Sequence, residues 1–235
     1  MTRALERLGE RADSGHRTLA EKAFGALHDA ILTGRLQPGD RLPIEDLADV
    51  LDMSAMPIRE AVRRLDSAGL VENIPHRGAR VTELSIADLV EVYEARLALE
   101  PLTVRKAAEK FTSDDETAAT ARLSELNQLP DDNSPATWAA HTAFHFSLYE
   151  AAGSNWLVRL IRPLWETSER YRLAAPVKRK LAMRSGEHEL ILQACVEHYG
   201  DRAAAAIHDH LAVTANLVSK AMGGEELFVP QGAFD

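Results

Sequence analysis

"SAMPIREAVRRLDSAGLVENIPHRGARV", residues 54–81, decides the fold. Ser54 can cap a helix, "MPIREAVRRLDSAG", that tolerates Pro57 in its first turn and ends at Gly69. The pattern then changes. "LVENIP" and "ARVTEL" are short strand-like runs around "HRG", the tip of a hairpin. Upstream, "EKAFGALHDAILTG" carries apolar residues at 23, 24, 27, 30, 31 and 32, a helical stripe that stops at Gly34. "QPGD" reads as a turn and "IEDLADVLDM" as a short second helix. Three helices and a β-wing make a winged helix-turn-helix over residues 17–83, preceded by a flexible segment, 1–16. The alternative is a small helical cap on a larger domain.

Beyond residue 83 the chain reads as almost wholly helical. "SIAD" at 85 and "SDDE" at 113 match the capping-box pattern. Periodic runs follow over 86–108, 114–128, 134–152, 155–173, 186–199 and 202–222. They predict an all-α antiparallel bundle of about six helices, 84–222. Trp138, Phe144, Trp156 and Trp165 fall at helical spacing and read as core, and Asn155 as a helix cap. Residues 223–235, "GGEELFVPQGAFD", read as a loose tail.

Composition limits what such a protein does. Hydrophobic residues make up 46% and charged residues 27% of 235, the balance of a globular protein with a real core. No apolar run approaches the ~18 residues of a membrane span. The N-terminus has no apolar signal region, and Cys195 alone excludes an intrachain disulfide, so a cytoplasmic setting is expected. The net charge of −9 argues against indiscriminate nucleic-acid binding, but it is uneven. Residues 1–82 carry 12 Lys+Arg against 13 Asp+Glu, and the rest 15 against 23. Within 54–82 five arginines (59, 63, 64, 77, 80) face three acids, a local patch suited to selective contact with an anion.

"HTAFH", residues 141–145, puts two histidines one helical turn apart. The zinc-protease motif H-E-x-x-H begins this way, but Thr142 stands where that motif needs its glutamate. A metal site, a catalytic centre and two ordinary histidines all remain open on the residues alone.

With both halves in view, the chain resembles the GntR family of bacterial transcription regulators, in the FadR-type branch with an all-helical FCD effector domain. The resemblance spans residues 17–222. It rests on "AILTGRLQPGDRL", "LADVLDMS", "PIREAVRRLDSAGLVE" and "PHRGARV" in the first half. In the second it rests on "YEARLALEPL", "HTAFHFSLYEAAGSN", "EHELILQAC" and "GDRAAAAIHDHL".

The resemblance implies a homodimer that binds a pseudo-palindromic double-stranded operator, with the 54–67 helix in the major groove. The implied DNA contacts are Arg41, Ser54, Ala55, Met56, Arg59, Arg63, His76, Arg77 and Gly78. Arg59 could pair bidentately with guanine, and the wing tip could reach the adjacent groove or backbone. Many members carry S-R-T-P where this chain has S-A-M-P, so the operator sequence does not transfer. Ala55 or Met56 could instead touch a thymine methyl.

In the second half, metal-binding members supply D-x-x-F-H from one helix and one histidine from each of two later helices. The implied ligands are His141 (at the aspartate position), His145, His188 and His210. His208 lies about 200° around the helix from His210 and cannot share its face. Imidazoles favour a divalent transition metal, Zn first and Ni as the alternative. A small carboxylate effector is expected beside it, with Arg96 as a clamp and Glu100 as that arginine's partner. A metal-free effector pocket is the runner-up. A metal-dependent hydrolase is the rival of another class, and it lacks a placed general base.

Overall fold

The computed structural model describes residues 18–74, 78–130, 134–175 and 181–233. The contacts divide the chain into two compact units, meeting between Ser85 and Ile86.

The first unit opens with α1 (Leu19–Leu32). Thr18 starts it with a capping box: its hydroxyl accepts from the Glu21 amide and the Glu21 carboxylate accepts from the Thr18 amide. The apolar stripe buries Ala23, Leu27, Ala30 and Ile31, and Gly34 follows at φ +69°. In the "QPGD" turn Asp40 accepts from the Gln37 amide (2.8 Å). Then come β1 (Arg41–Leu42), α2 (Ile44–Val50) and α3 (Ala55–Ser67). Helix α3 turns Ile58, Ala61, Val62 and Leu65 onto α1 and ends before Gly69 at φ +73°. Ser54 occupies the N-cap position of α3, yet its hydroxyl makes no cap bond, leaving the first-turn amides of α3 without that partner.

Strands β2 (Val71–Ile74) and β3 (Gly78–Val81) pair antiparallel, Val71 opposite Val81 and Ile74 opposite Gly78. The wing has a third strand that the sequence reading misses: β1 pairs with β3, Arg41 opposite Arg80, giving the order β1-β3-β2. Two residues are too few to show an alternating pattern, so this strand is defined by its pairing alone.

The second unit holds α4 (Ile86–Ala108), α5 (Ser113–Gln128), α6 (Pro135–Ala151), α7 (Asn155–Ala174), α8 (Leu181–Val196) and α9 (Gly200–Ala221). Helix α4 packs along α9 and α7, and α5 lies against α6. Small residues (Ala203, Ala206, Ala212, Ala215) line the buried face of α9, so neighbouring backbones approach closely.

Several local expectations need correction. The capping box of α5 is Thr112 with Asp115, one residue before "SDDE". Ser154, not Asn155, caps α7, accepting from the Leu157 amide. Trp156 is 71% exposed and is not core, because periodicity gives a stripe but not its rotation toward the bundle. Helix α8 begins at Leu181, five residues before the predicted start. The last segment has no helix or strand after α9, but it is tied down. Asn216 receives the amides of Leu227 and Phe228 and donates to the Phe228 carbonyl, while buried Asp209 receives those of Gln231 and Ala233. The expected flexible segment 1–16 lies outside the described residues. Among the described residues no helix is long and apolar enough to cross a membrane.

Candidate DNA-reading face and metal centre

The outer face of α3 carries the expected polar row. Met56 is 73% exposed, Ala55 is half-buried and Ser54 exposed. Arg59 reaches Glu45 of α2 at 3.5 Å, and Arg63 pairs with Glu60 at 2.8 Å. Both pairs are solvent-exposed and screened by water, so phosphates or bases can displace them cheaply. Arg59, Val62, Arg63 and Asp66 form one wall of a cleft of about 290 Å³, and Asn73, Gly78 and Ala79 of the wing form another. Gly78 sits at φ +80° with open space around it. Arg41 is exposed on β1, across the sheet from Arg80. His76 and Arg77 lie outside the described residues.

In the helical unit, α6 supplies His141 and His145, α8 supplies His188 and α9 supplies His210. All four are buried, and one ligand atom from each lies within 4.8 Å of the others. The approach of three helices, set by the apolar faces they bury, brings together residues far apart in the chain. His208 is on another face, against Asp209.

The cluster's chemistry suits a cation. The Nε2 atoms of His145 and His188 face each other at 3.2 Å. Two imidazole nitrogens each about 2.0–2.1 Å from one tetrahedral ion stand roughly 3.4 Å apart. His210 Nδ1 lies 2.7 Å from the Glu187 carboxylate, and His145 Nδ1 3.2 Å from the Tyr149 hydroxyl, which itself donates to Glu100. Such carboxylate–histidine pairs orient imidazoles toward metals. Burial first, and then neighbouring cations and imidazoles, hold His141 and His145 well below the usual histidine range, so both are neutral, the ligating form. The four-histidine group is therefore compatible with a metal site. Cys195 is not one of its ligands.

Sequence reasoning did not find Arg172 and Glu169 of α7. The Arg172 guanidinium donates to His141 Nδ1 at 3.0 Å and to Glu169 at 2.7 Å. Their spacing gives an ordinary i,i+3 ion pair, and only tertiary packing points it at a histidine. Arg96 is buried, bonded through Nε to Glu100 (2.5 Å) and through a terminal nitrogen to Ser168 (2.7 Å), and it stacks near Tyr93 and Trp165. Its expected partnership with Glu100 is present. Through Tyr149, that pair reaches His145.

Comparison with known proteins agrees with both halves. Residues 19–81 match the gntR family of bacterial regulatory proteins, and residues 91–213 match the FCD domain. The chain is 30% identical over 184 residues to the uncharacterized HTH-type transcriptional regulator BphR of Paraburkholderia xenovorans, covering 75% of each chain. It is 24% identical over 208 residues to the HTH-type transcriptional repressor GlaR of Escherichia coli, covering 84% of this chain and 94% of that one. In fold it resembles E. coli McbR/YncC, with a TM-score of 0.74 over 88% of this chain and all of the other, at 22% identity. These relatives are regulators and not enzymes. The protein belongs to the GntR family of bacterial transcription regulators, in the group whose winged helix-turn-helix is joined to an FCD domain.

Proposed function

We propose that this protein is a cytoplasmic, ligand-responsive repressor. It acts as a homodimer on a pseudo-palindromic operator, and a small carboxylate held beside a divalent transition metal, Zn first and Ni second, sets its affinity. The observation that carries this reading is the buried histidine group of α6, α8 and α9 with its carboxylate supports. When bound, the ion would supply positive charge and an open position for an anion. Histidines of this group would hold it, and Glu187 and the Glu100–Tyr149 pair orient His210 and His145. Arg59 and Arg63 supply exposed cations to the DNA. An effector acts here only through its differential affinity for two arrangements of the dimer.

Two measurements test this. Metal analysis of untagged protein purified without chelator should find about one ion per chain, retained on dialysis. A gel shift with DNA flanking the protein's own gene should show a specific complex that chelator weakens or abolishes. A complex that ignores chelator, in protein without stoichiometric metal, would favour the metal-free effector pocket. The absence of any complex with neighbouring intergenic DNA would remove the repressor reading.

A further inference from the structure

His141 differs from His145 and His210 in what it offers the cluster. A neutral imidazole has one N–H and one lone pair, and the partner of one nitrogen fixes the role of the other. His210 Nδ1 faces the Glu187 carboxylate at 2.7 Å, an acceptor, so it carries the hydrogen and leaves the Nε2 lone pair free. His145 follows the same rule. The Tyr149 hydroxyl donates its hydrogen bond to Glu100, so its oxygen is left as an acceptor. His145 Nδ1 must then donate to the Tyr149 oxygen, again freeing Nε2.

His141 is reversed. Its Nδ1 faces an Arg172 nitrogen at 3.0 Å, and a guanidinium can only donate. The nearest carboxylate oxygen, on Glu169, stands 4.0 Å away, too far to take a hydrogen from that nitrogen. Nδ1 therefore spends its lone pair on Arg172, and Nε2 carries the hydrogen. Whichever nitrogen turns toward an ion, His141 has no lone pair to give while Arg172 is in place. Among the described residues no hydrogen bond engages its Nε2.

The geometry points to a three-histidine metal site, His145, His188 and His210, with His141 as a hydrogen-bond donor to a carboxylate that occupies the ion's open position. Arg172 is the positioning residue that fixes the donor form. The family's aspartate position has thus become an anion-recognition group in this chain. This rests on the metal-dependent reading proposed above and assigns the effector's carboxylate a specific protein partner.

The test begins with zinc-loaded protein carrying ¹⁵N-labelled histidine. Long-range ¹H–¹⁵N spectra should show His145 and His210 protonated at Nδ1 and metal-shifted at Nε2, and His141 protonated at Nε2 with no metal shift. Cobalt(II) titrations follow. His141→Gln, which keeps the volume and a donor, and His141→Ala should bind one ion per chain within about tenfold of wild type. His145→Ala should lose more than about a hundredfold. Acetate, the probe for the open position, should perturb the cobalt absorption of wild type and His141→Gln at similar concentrations. His141→Ala should need about tenfold more. A metal-shifted His141, or a folded His141→Gln that binds cobalt as weakly as His145→Ala, would make it a fourth ligand and overturn the proposal. So would an unchanged acetate response in His141→Ala. If wild type itself takes up no cobalt, the metal-dependent reading fails as a whole, and this proposal with it.

Discussion

Trp165 of α7 donates its indole N–H to the hydroxyl of Thr142 at 3.1 Å, one residue after His141. Thr142 occupies the position at which a zinc protease would carry its catalytic glutamate. Here that position carries a structural tether. Thr142→Val should leave the indole without its partner and cost about 1–3 kcal/mol. Thermal unfolding should shift down by a few degrees, with a change in Trp fluorescence and metal content intact. An unchanged melting temperature would contradict the role given to this bond.

Arg59→Ala should weaken binding to the specific operator by about 1–3 kcal/mol, the worth of one good base contact. Arg63→Ala should weaken binding to all sequences alike and flatten the salt dependence. Fluorescence anisotropy on specific and scrambled duplexes at several salt concentrations separates the two. Both side chains are exposed and their ion pairs weak, so stability and metal content should stay within error of wild type.

The Arg96–Glu100 pair is the most buried ion pair among the described residues, with side chains 3% and 0% exposed. Arg96→Met would strand the Glu100 carboxylate beside Tyr149 and should cost about 3–5 kcal/mol. Because Tyr149 supports His145, the loss should also weaken metal binding. Arg96→Met combined with Glu100→Leu should recover much of the stability but not the metal affinity. Urea unfolding and cobalt titration read the two effects separately.

Metal-free protein should lose stability in mild acid. His141 and His145 are held well below the ordinary histidine value of 6.5 in the fold, chiefly by burial. Below pH 6.5 the unfolded chain therefore takes up protons that the folded chain refuses, and folding becomes less favourable. Each histidine contributes up to about 1.4 kcal/mol per pH unit. The urea midpoint should fall between pH 7 and pH 5.5, whereas His141→Gln should show a shallower fall.

Much of this was legible in the chain. Helix α4 runs from Ile86 to Ala108 as its periodicity predicts, and Gly34 and Gly69 mark their helix ends with positive φ. The four histidines were legible from their order along "HTAFH", "EHEL" and "HDHL" together with the family resemblance. Features made by tertiary contact were not. Strand β1 exists through pairing with β3, Trp156 is exposed because of how α7 is rotated, and the roles of Arg172, Glu187 and Tyr149 depend on which histidine nitrogen each one meets. The cap positions slipped by one residue at Thr112 and Ser154 because neighbouring residues, Ser113 and Asn155, are equally good formers.

One consequence of the histidine group concerns the chain's own cohesion. His145 and His188 are 43 residues apart in sequence, yet their Nε2 atoms stand 3.2 Å from each other. An ion gripping both would close that loop as a covalent crosslink does. In the chain-entropy treatment of crosslinks, a loop of this length is worth about 4 kcal/mol. The chain has only one cysteine, so no intrachain disulfide can do this. The same imidazoles that would hold the ion would then act as the fastener of the α6–α8 pair, and metal supply would set how long the regulator survives as well as how it responds.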